Sequence, residues 1–268
     1  MISVDVSEWE PAGDEQLGTK PKQWLRDDAD HLWLWKEATF NRDRDGRAYR
    51  KGDDWAEVVA GRVGLQLGVP VAVVELATRG EAFGVISRKV LNEAEALSHG
   101  NELLAGLGIA TRDAHDRAGY TPASVRGVLN DVGPPVAHEG LATAFDWFAS
   151  YLVLDCLVGN TDRHQDNWGV IGGRAGRRLA PSFDHASCLG FLLSDERRMM
   201  HLATPDPNQS VSAYAGRAKS SSPINPPCSP WPSTPWAWRR QRLAGTGGRP
   251  SSAWRTSPRS SCRCPRSA

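Results

Sequence analysis

The segment at residues 159–168, GNTDRHQDNW, combines two carboxylates, three amides and one histidine directly after a strongly apolar stretch. Asp162 and Asn167 lie five positions apart within it. A carboxylate can orient or deprotonate an acceptor hydroxyl, and an amide oxygen can bind magnesium, so this pair indicates phosphoryl transfer. An ordinary polar turn is the alternative, because Asp and Asn side chains stabilise turns by bonding to their own backbone.

A further aspartate, Asp184, follows Asn167 by 17 positions, in the sequence Ser-Phe-Asp at residues 182–184. Metal-dependent phosphoryl transfer needs a second oxygen ligand for magnesium, and a short predicted hairpin separates the two residues. Each piece alone is typical of a turn. In this order they predict catalysis by Asp162, with Asn167 and Asp184 as magnesium ligands.

Lys36 lies in the aromatic segment Trp-Leu-Trp-Lys-Glu at residues 33–37, which we predict to be a buried strand. A buried ammonium is costly unless it finds a partner, so Lys36 is expected to contact nucleotide phosphates and a helix carboxylate. Glu57, on the next predicted helix, is the candidate carboxylate. Alternatively, Lys36 reaches solvent from an edge strand and Glu57 lies on a solvated helix face.

Upstream of this strand, the loop Gln-Leu-Gly-Thr-Lys-Pro-Lys at residues 16–22 offers backbone amides and lysines to phosphate groups. Gly18, Thr19 and Lys22 are the candidate nucleotide-binding residues there. A single glycine makes a weak phosphate loop, and turn chemistry explains the segment almost as well. Motifs for zinc hydrolysis, serine hydrolysis or dinucleotide binding do not occur in the sequence.

The predicted elements begin with strands and one helix and continue mostly as helices, which favours an α+β protein. They are a strand at residues 31–38, a helix from Trp55 to about Leu67 capped by Asp53 or Asp54, a strand hairpin at residues 69–78 and 82–91, a helix at residues 141–158, and two short strands, of which the second ends at Asp184. In the helix at residues 141–158, one predicted apolar stripe consists of Phe145, Phe148, Leu152 and Cys156.

The charges of the 268 residues are distributed unevenly, although the net charge is only +1. Residues 220–268 carry eight Arg and no Lys, Asp or Glu, which leaves −7 for residues 1–219. We therefore expect no direct nucleic-acid binding by the acidic body. The sequence has no signal peptide, no run of 18 apolar residues and no disulfide framework, which predicts a cytoplasmic protein without a membrane segment.

The tail at residues 220–268 differs in composition from the rest of the chain, with nine Pro, eleven Ser and four Trp and no periodicity. Disordered arms are rich in Pro and Ser, but tryptophan is unusual in them. We expect this tail to be disordered or to be an out-of-frame translation, with the native reading frame ending near Lys219. The nucleotide sequence downstream of Lys219 tests this hypothesis, which an intact frame would contradict.

The segments GNTDRHQDNWGVI and LAPSFDHAS resemble the catalytic and metal-binding motifs of the HipA-like serine/threonine kinases, the toxin kinases of bacterial toxin–antitoxin systems. GTKPKQWL, WLWKEA and the Glu57 helix are similar, in order, to the family's phosphate loop, nucleotide lysine and following helix. The resemblance implies a catalytic Asp162, the magnesium ligands Asn167 and Asp184, and a Lys36 that contacts nucleotide phosphates and pairs with Glu57. It also implies ATP and Mg as cofactors and a protein Ser or Thr as the acceptor.

The resemblance further implies a two-lobed, protein-kinase-like fold. A small mixed N-lobe is expected at residues 1–88 and a mainly helical C-lobe at residues 89–219. Compared with the family, the chain starts almost at the phosphate loop, and the tail at residues 220–268 replaces further helices of the C-lobe. An incomplete lobe would expose apolar surface and leave the product unstable or inactive.

Three functions stay open at the level of the sequence. The leading one is a serine/threonine-protein kinase of a family that pairs such kinases with an antitoxin partner. A phosphatidylinositol-kinase-like lipid or small-molecule kinase would use the same loop chemistry. A truncated, non-catalytic remnant would bind only nucleotide or an antitoxin.

Overall fold

The computed structural model describes residues 2–15, 21–109, 119–216 and 224. Every described residue belongs to one compact unit, which lies within residues 1–230. Of the predicted tail, only Ile224 is described, and its side chain is buried in the largest apolar cluster. Our prediction for the rest of residues 220–268 lies outside the described residues.

The first part of the chain forms mainly strands. In chain order these elements are β1 (Val4–Asp5), β2 (Glu10–Glu15), β3 (Lys22–Arg26), β4 (Leu32–Glu37), β5 (Phe40–Arg42), β6 (Ala48–Arg50), α1 (Asp53–Gln66), β7 (Val74–Arg79) and β8 (Ala82–Arg88). Six of the strands form one sheet in the order β1-β7-β8-β4-β3-β2, in which only β1 and β7 run parallel. Strands β5 and β6 form a separate hairpin.

The second part is richer in helix. Its elements are β9 (Ala96–His99), α2 (Gly100–Gly106), α3 (Pro122–Val128), α4 (Ala144–Val158), β10 (Gly169–Gly173), β11 (Gly176–Leu179), α5 (Asp195–Ala203), a short 3-10 helix (Pro207–Gln209) and α6 (Val211–Gly216). The three strands pair in the order β11-β10-β9. The mixture of strands and helices agrees with the prediction, whereas the division into two lobes near residue 88 stays a prediction.

Helix α1 lies between the six-stranded sheet and helix α4. Its Val58 packs with Val74 and Val85 of the sheet, and at Gly64 an added side chain would meet Val71 and Leu154. The helix begins one or two residues earlier than the predicted capping would place it, since Gly52 is the N-cap and Asp53 and Asp54 occupy the first turn. Asp53 does not cap the helix because its carboxylate accepts hydrogen bonds from the backbone N–H and hydroxyl of Thr39.

The apolar stripe predicted for α4 is only partly correct. Phe148 is buried as expected, but Cys156 is half-buried, and the remaining buried residues of the helix are Ala144, Trp147, Tyr151, Leu154, Asp155 and Val158. Apolar residues occupy almost every position of this helix, so periodicity alone does not select a face. Within the described residues, no helix is long and apolar enough to cross a membrane.

Candidate active site

The ammonium of Lys36, on β4, lies between two carboxylates. Its Nζ is 3.1 Å from Oε1 and 3.4 Å from Oε2 of Glu57, which α1 directs toward the sheet, and 3.6 Å from Oδ1 of Asp184. The side chains of Lys36 and Glu57 are 16% and 2% exposed. The alternative in which Lys36 reaches solvent and Glu57 lies on a solvated face is therefore wrong.

These three groups shift one another's ionisation. Burial alone would lower the pKa of Lys36, but the carboxylates of Asp184 and Glu57 outweigh it and raise that pKa above its ordinary value. The positive charge of Lys36 lowers the pKa of Asp184 to about 2, whereas burial raises the pKa of Glu57. At neutral pH the site therefore holds an ammonium and an ionised Asp184 side by side.

A main-chain contact to a distant part of the chain places Asp184. Strand β11 ends at Leu179, not at Asp184 as predicted, and Ser182 instead pairs with the segment between α1 and β7. Its N–H donates to the carbonyl of Pro70, and its carbonyl accepts from the N–H of Ala72, at 2.8 and 2.9 Å. Asp184 itself has a left-handed backbone, with φ of 58°, which is uncommon for a residue with a side chain.

Replacing Asp184 by asparagine tests its ionisation, and Asn also tolerates the left-handed backbone. The pKa of Asp184 is lowered from 3.8 to about 2 in the folded protein, so its stabilising contribution is present above pH 3.8 and is lost as the pH falls through about 2. The difference in free energy of unfolding between the parent and Asp184→Asn should therefore shrink over this range. Urea unfolding of both proteins from about pH 6 downward measures it; a pH-independent difference would contradict the assignment.

The loop with Asp162 and Asn167 begins where α4 ends. Gly159 closes the helix in the left-handed conformation, with φ of 65°, which glycine adopts without strain. The next residue, Asn160, donates from Nδ2 to Asp155 of α4 at 2.8 Å and accepts at Oδ1 from the N–H of Asp162 at 3.1 Å. The backbone N–H of Thr161 donates to the carbonyl of Ser187. The loop is therefore fixed at its start to the helix and to the segment after Asp184.

Arg163 ties this loop to both neighbouring segments and is fully buried. Its Nε and Nη2 each donate to the Asp155 carboxylate at 2.8 Å, in a bidentate ion pair in which neither side chain is exposed. The remaining donors reach the carbonyls of Asn167 and Phe183 and, at 3.0 Å, the hydroxyl of Ser182. One guanidinium therefore connects α4, the loop and the segment that carries Asp184.

The same loop brings Asn167 against Asp162. The Nδ2 of Asn167 donates to the carbonyl of Asp162 at 2.7 Å, which leaves the Oδ1 of Asn167 as an acceptor. The carboxylate of Asp162 is 37% exposed, and Nε2 of His164 lies 3.8 Å from its Oδ1. The pair predicted from its spacing therefore forms one hydrogen-bonded unit with an exposed carboxylate.

Trp168 anchors the other end of the loop. Its carbonyl accepts from the N–H of Gly100, and its side chain is buried. A side chain at Gly100 would lie 2.3 Å from the Trp168 ring and 2.5 Å from the carbonyl of Gln165, so only glycine fits at the start of α2.

The donor chemistry of Asn167 and Asp184 fits magnesium. Both offer oxygen, Asp184 is ionised, and its carboxylate is 32% exposed. In the part of the chain that the structure describes, no group of three His, Cys, Asp or Glu could hold a metal ion. Magnesium is commonly held by one or two protein oxygens together with water and substrate phosphates, so two ligands suit it when a nucleotide is present.

Of the predicted nucleotide-binding residues upstream, Lys22 is described and Gly18 and Thr19 lie outside the described residues. Lys22, on β3, lies directly opposite Lys36 in the register of the adjacent strand β4. Burial and the charge of Lys36 lower the pKa of Lys22, which is partly offset by Asp184. The structure thus places two lysines and Asp184 on the same side of the sheet, where an anionic ligand would relieve the repulsion between the lysines.

Sequence reasoning missed Arg163, Asp155 and Ser182 as site residues. The available signal was Asp155, a carboxylate inside an apolar helix, because such a group needs a partner when it is buried. Arg163 is a cation within reach of it once Gly159 reverses the chain.

Comparison with protein-family models and with curated proteins gives no match. Among solved structures, the chain is similar to the proinflammatory kinase CtkA of Helicobacter pylori, with 21% identity and a TM-score of 0.60 over 76% of this chain and 67% of that chain. It also matches HipA of Shewanella oneidensis MR-1, solved with HipB and operator DNA, with 16% identity and a TM-score of 0.45 over 67% of this chain and 45% of that chain. The similarity to CtkA shows that this chain has a kinase-like fold.

Proposed function

We propose that this protein is an ATP- and Mg-dependent phosphotransferase that phosphorylates a Ser or Thr hydroxyl of a protein. One connected set of contacts carries the proposal. Lys36 contacts both Glu57 and Asp184. Arg163 bonds the segment before Asp184 to the loop that carries Asp162. The arrangement supplies a cation for phosphates, oxygens for magnesium and an exposed carboxylate for the acceptor.

In this proposal each side chain has one task. Lys36, held by Glu57, contacts the phosphates of ATP and stabilises negative charge on them. Asp162 accepts the proton of the acceptor hydroxyl. At the same time the hydroxyl oxygen attacks the γ-phosphorus of ATP, and the bond between the γ-phosphorus and the oxygen that bridges it to the β-phosphate breaks. Asn167 and Asp184 would hold magnesium, which when bound offsets phosphate charge. Lys22, with Gly18 and Thr19, would also contact the phosphates.

The acceptor and the partner rest on the family resemblance. It favours a protein Ser or Thr over a lipid headgroup, an antitoxin as binding partner, and the cytoplasm as location. The kinase-like fold supports phosphoryl transfer as the reaction class. An acceptor screen with dephosphorylated casein and phosphatidylinositol vesicles, using radiolabelled ATP, separates the protein from the lipid acceptor.

Nucleotide binding gives the first test. With saturating ATP and Mg, the melting temperature of the parent should rise by about 5 °C or more, because ligand binding stabilises only the folded state. Lys36→Met should abolish this rise, since it removes the cation that contacts the phosphates. Lys51→Met removes a lysine outside the site and should keep the rise. If the parent shows no rise in melting temperature and no phosphate transfer, the proposed function is wrong.

A further inference from the structure

The segment after Asp184 docks onto the first turn of α1. The N–H of Gly52, the N-cap of α1, donates to the carbonyl of Phe191 at 2.8 Å. The hydroxyl of Tyr49, just before the helix, donates to the carbonyl of Leu192 at 2.8 Å. Both bonds use main-chain carbonyls of the same segment, so they hold its backbone against the start of the helix.

Arg198, on α5, completes this contact through a side chain. Its guanidinium carbon lies 4.9 Å from the centre of the Trp55 ring, a cation–π arrangement, and its Nη2 donates to the carbonyl of Phe191 at 3.4 Å. It also forms an ion pair with Asp195. The Trp55 ring in turn covers Gly52, where a side chain would come within 2.3 Å of the ring.

Trp55 and Glu57 belong to one helix and lie two positions apart. A helix is stiff over such a distance, so a shift of its first turn moves the Glu57 carboxylate, which lies 3.1 Å from Lys36. The docked segment follows Asp184, whose carboxylate is the other one that contacts Lys36. Glu57 and Asp184 are connected once through Lys36, which both contact. The helix of Glu57 and the segment after Asp184 are connected again through Trp55 and Arg198.

We propose that Arg198 is a positioning residue, which sets the place of Glu57, and through it of Lys36, by holding Trp55. This inference rests on the proposed phosphotransfer function. If Arg198 acts through Glu57, removing Arg198 lowers phosphate transfer only while Glu57 is able to pair with Lys36. If Arg198 only stabilises the fold, its removal has the same effect whatever residue stands at position 57.

The test measures kcat in two backgrounds of the full chain. In the parent, Arg198→Ala should lower kcat about tenfold, and Arg198→Lys, which keeps a cation over Trp55, should recover most of it. In a Glu57→Gln background, Arg198→Ala should change kcat less than about twofold, because effects that pass through one contact are not additive. An equal tenfold loss in both backgrounds, or no rescue by lysine, would overturn the proposal.

Hydrogen exchange separates this proposal from the proposed function, because it needs no activity. In Arg198→Ala, amides of the first turn of α1 should exchange at least about tenfold faster, while those of α3 keep the parent rate. Arg198→Lys should restore the parent rate. If the parent transfers no phosphate, the proposed function fails. If the first turn of α1 exchanges equally in parent and Arg198→Ala, the docking role of Arg198 fails.

Discussion

Replacing Arg163 by methionine is expected to abolish phosphate transfer and to lower the free energy of unfolding by about 3–5 kcal/mol. The substitution leaves the Asp155 carboxylate buried without its cation, which is the costly half of breaking a buried ion pair. It also removes the hydrogen bonds to the carbonyls of Asn167 and Phe183, so the loop and the Asp184 segment lose their common anchor. Urea unfolding and transfer from radiolabelled ATP measure the two effects.

The control separates the loss of stability from the loss of geometry. In Asp155→Leu combined with Arg163→Met, neither charge of this ion pair remains, so much of the lost stability should return. Phosphate transfer should stay absent, because the methionine donates no hydrogen bond to the loop. A stable double variant with the activity of the parent would show that Arg163 is unnecessary for the loop and would contradict the assignment.

Replacing Asp162 by asparagine is expected to lower kcat about a thousandfold with little change in stability. An amide is nearly the same size as the carboxylate but does not accept the proton of the acceptor hydroxyl, and general-base catalysis contributes about 10² to 10⁴ in rate. The side chain is 37% exposed, so the fold should tolerate the change. Initial rates with radiolabelled ATP and a thermal melt of both proteins measure this.

Two matched variants in the same loop serve as controls. Asp166→Asn makes the same chemical change four positions away, at a carboxylate that lies 3.7 Å from Nδ1 of His164. His164→Ala removes the imidazole next to Asp162 and should have a milder effect than the loss of Asp162. If Asp162→Asn matched the parent in kcat, or if Asp166→Asn lost as much, Asp162 would not be the base.

The pairing of Lys36 with Glu57 was predictable because burial of an unpaired charge is costly. The sequence placed a lysine in an aromatic strand and a carboxylate, Glu57, on the next helix. The contact of Lys36 with Asp184 was not predicted, since it depends on where a segment almost 150 positions later returns to the sheet. Gly18 and Thr19 stay predictions, because they lie outside the described residues.

Two predictions were wrong for the same physical reason: the buried face of α4 and the end of the strand before Asp184. The buried face of α4 was misplaced because the helix is apolar on nearly all sides, and the Asp155–Arg163 pair that helps fix its orientation joins residues across the end of the helix. The strand predicted to reach Asp184 ends earlier, at Leu179, because Pro181 has no N–H for a ladder and Ser182 finds its partners near residue 71. Local pattern thus selected the candidate site residues, whereas tertiary contacts decided their orientation.

The contact of Ser182 with residues 70–72 has a consequence for how the sequence is able to vary. Both hydrogen bonds join main-chain atoms only, and Pro70 takes part through its carbonyl, the one polar backbone group that proline keeps. Neither side chain at positions 70 and 72 takes part in this connection, so it tolerates substitutions there that keep the N–H of position 72 and fit the packing around the buried Ala72. The placement of Asp184 is in this respect buffered against mutation, because it is encoded in the path of the backbone rather than in the identity of the side chains beside it.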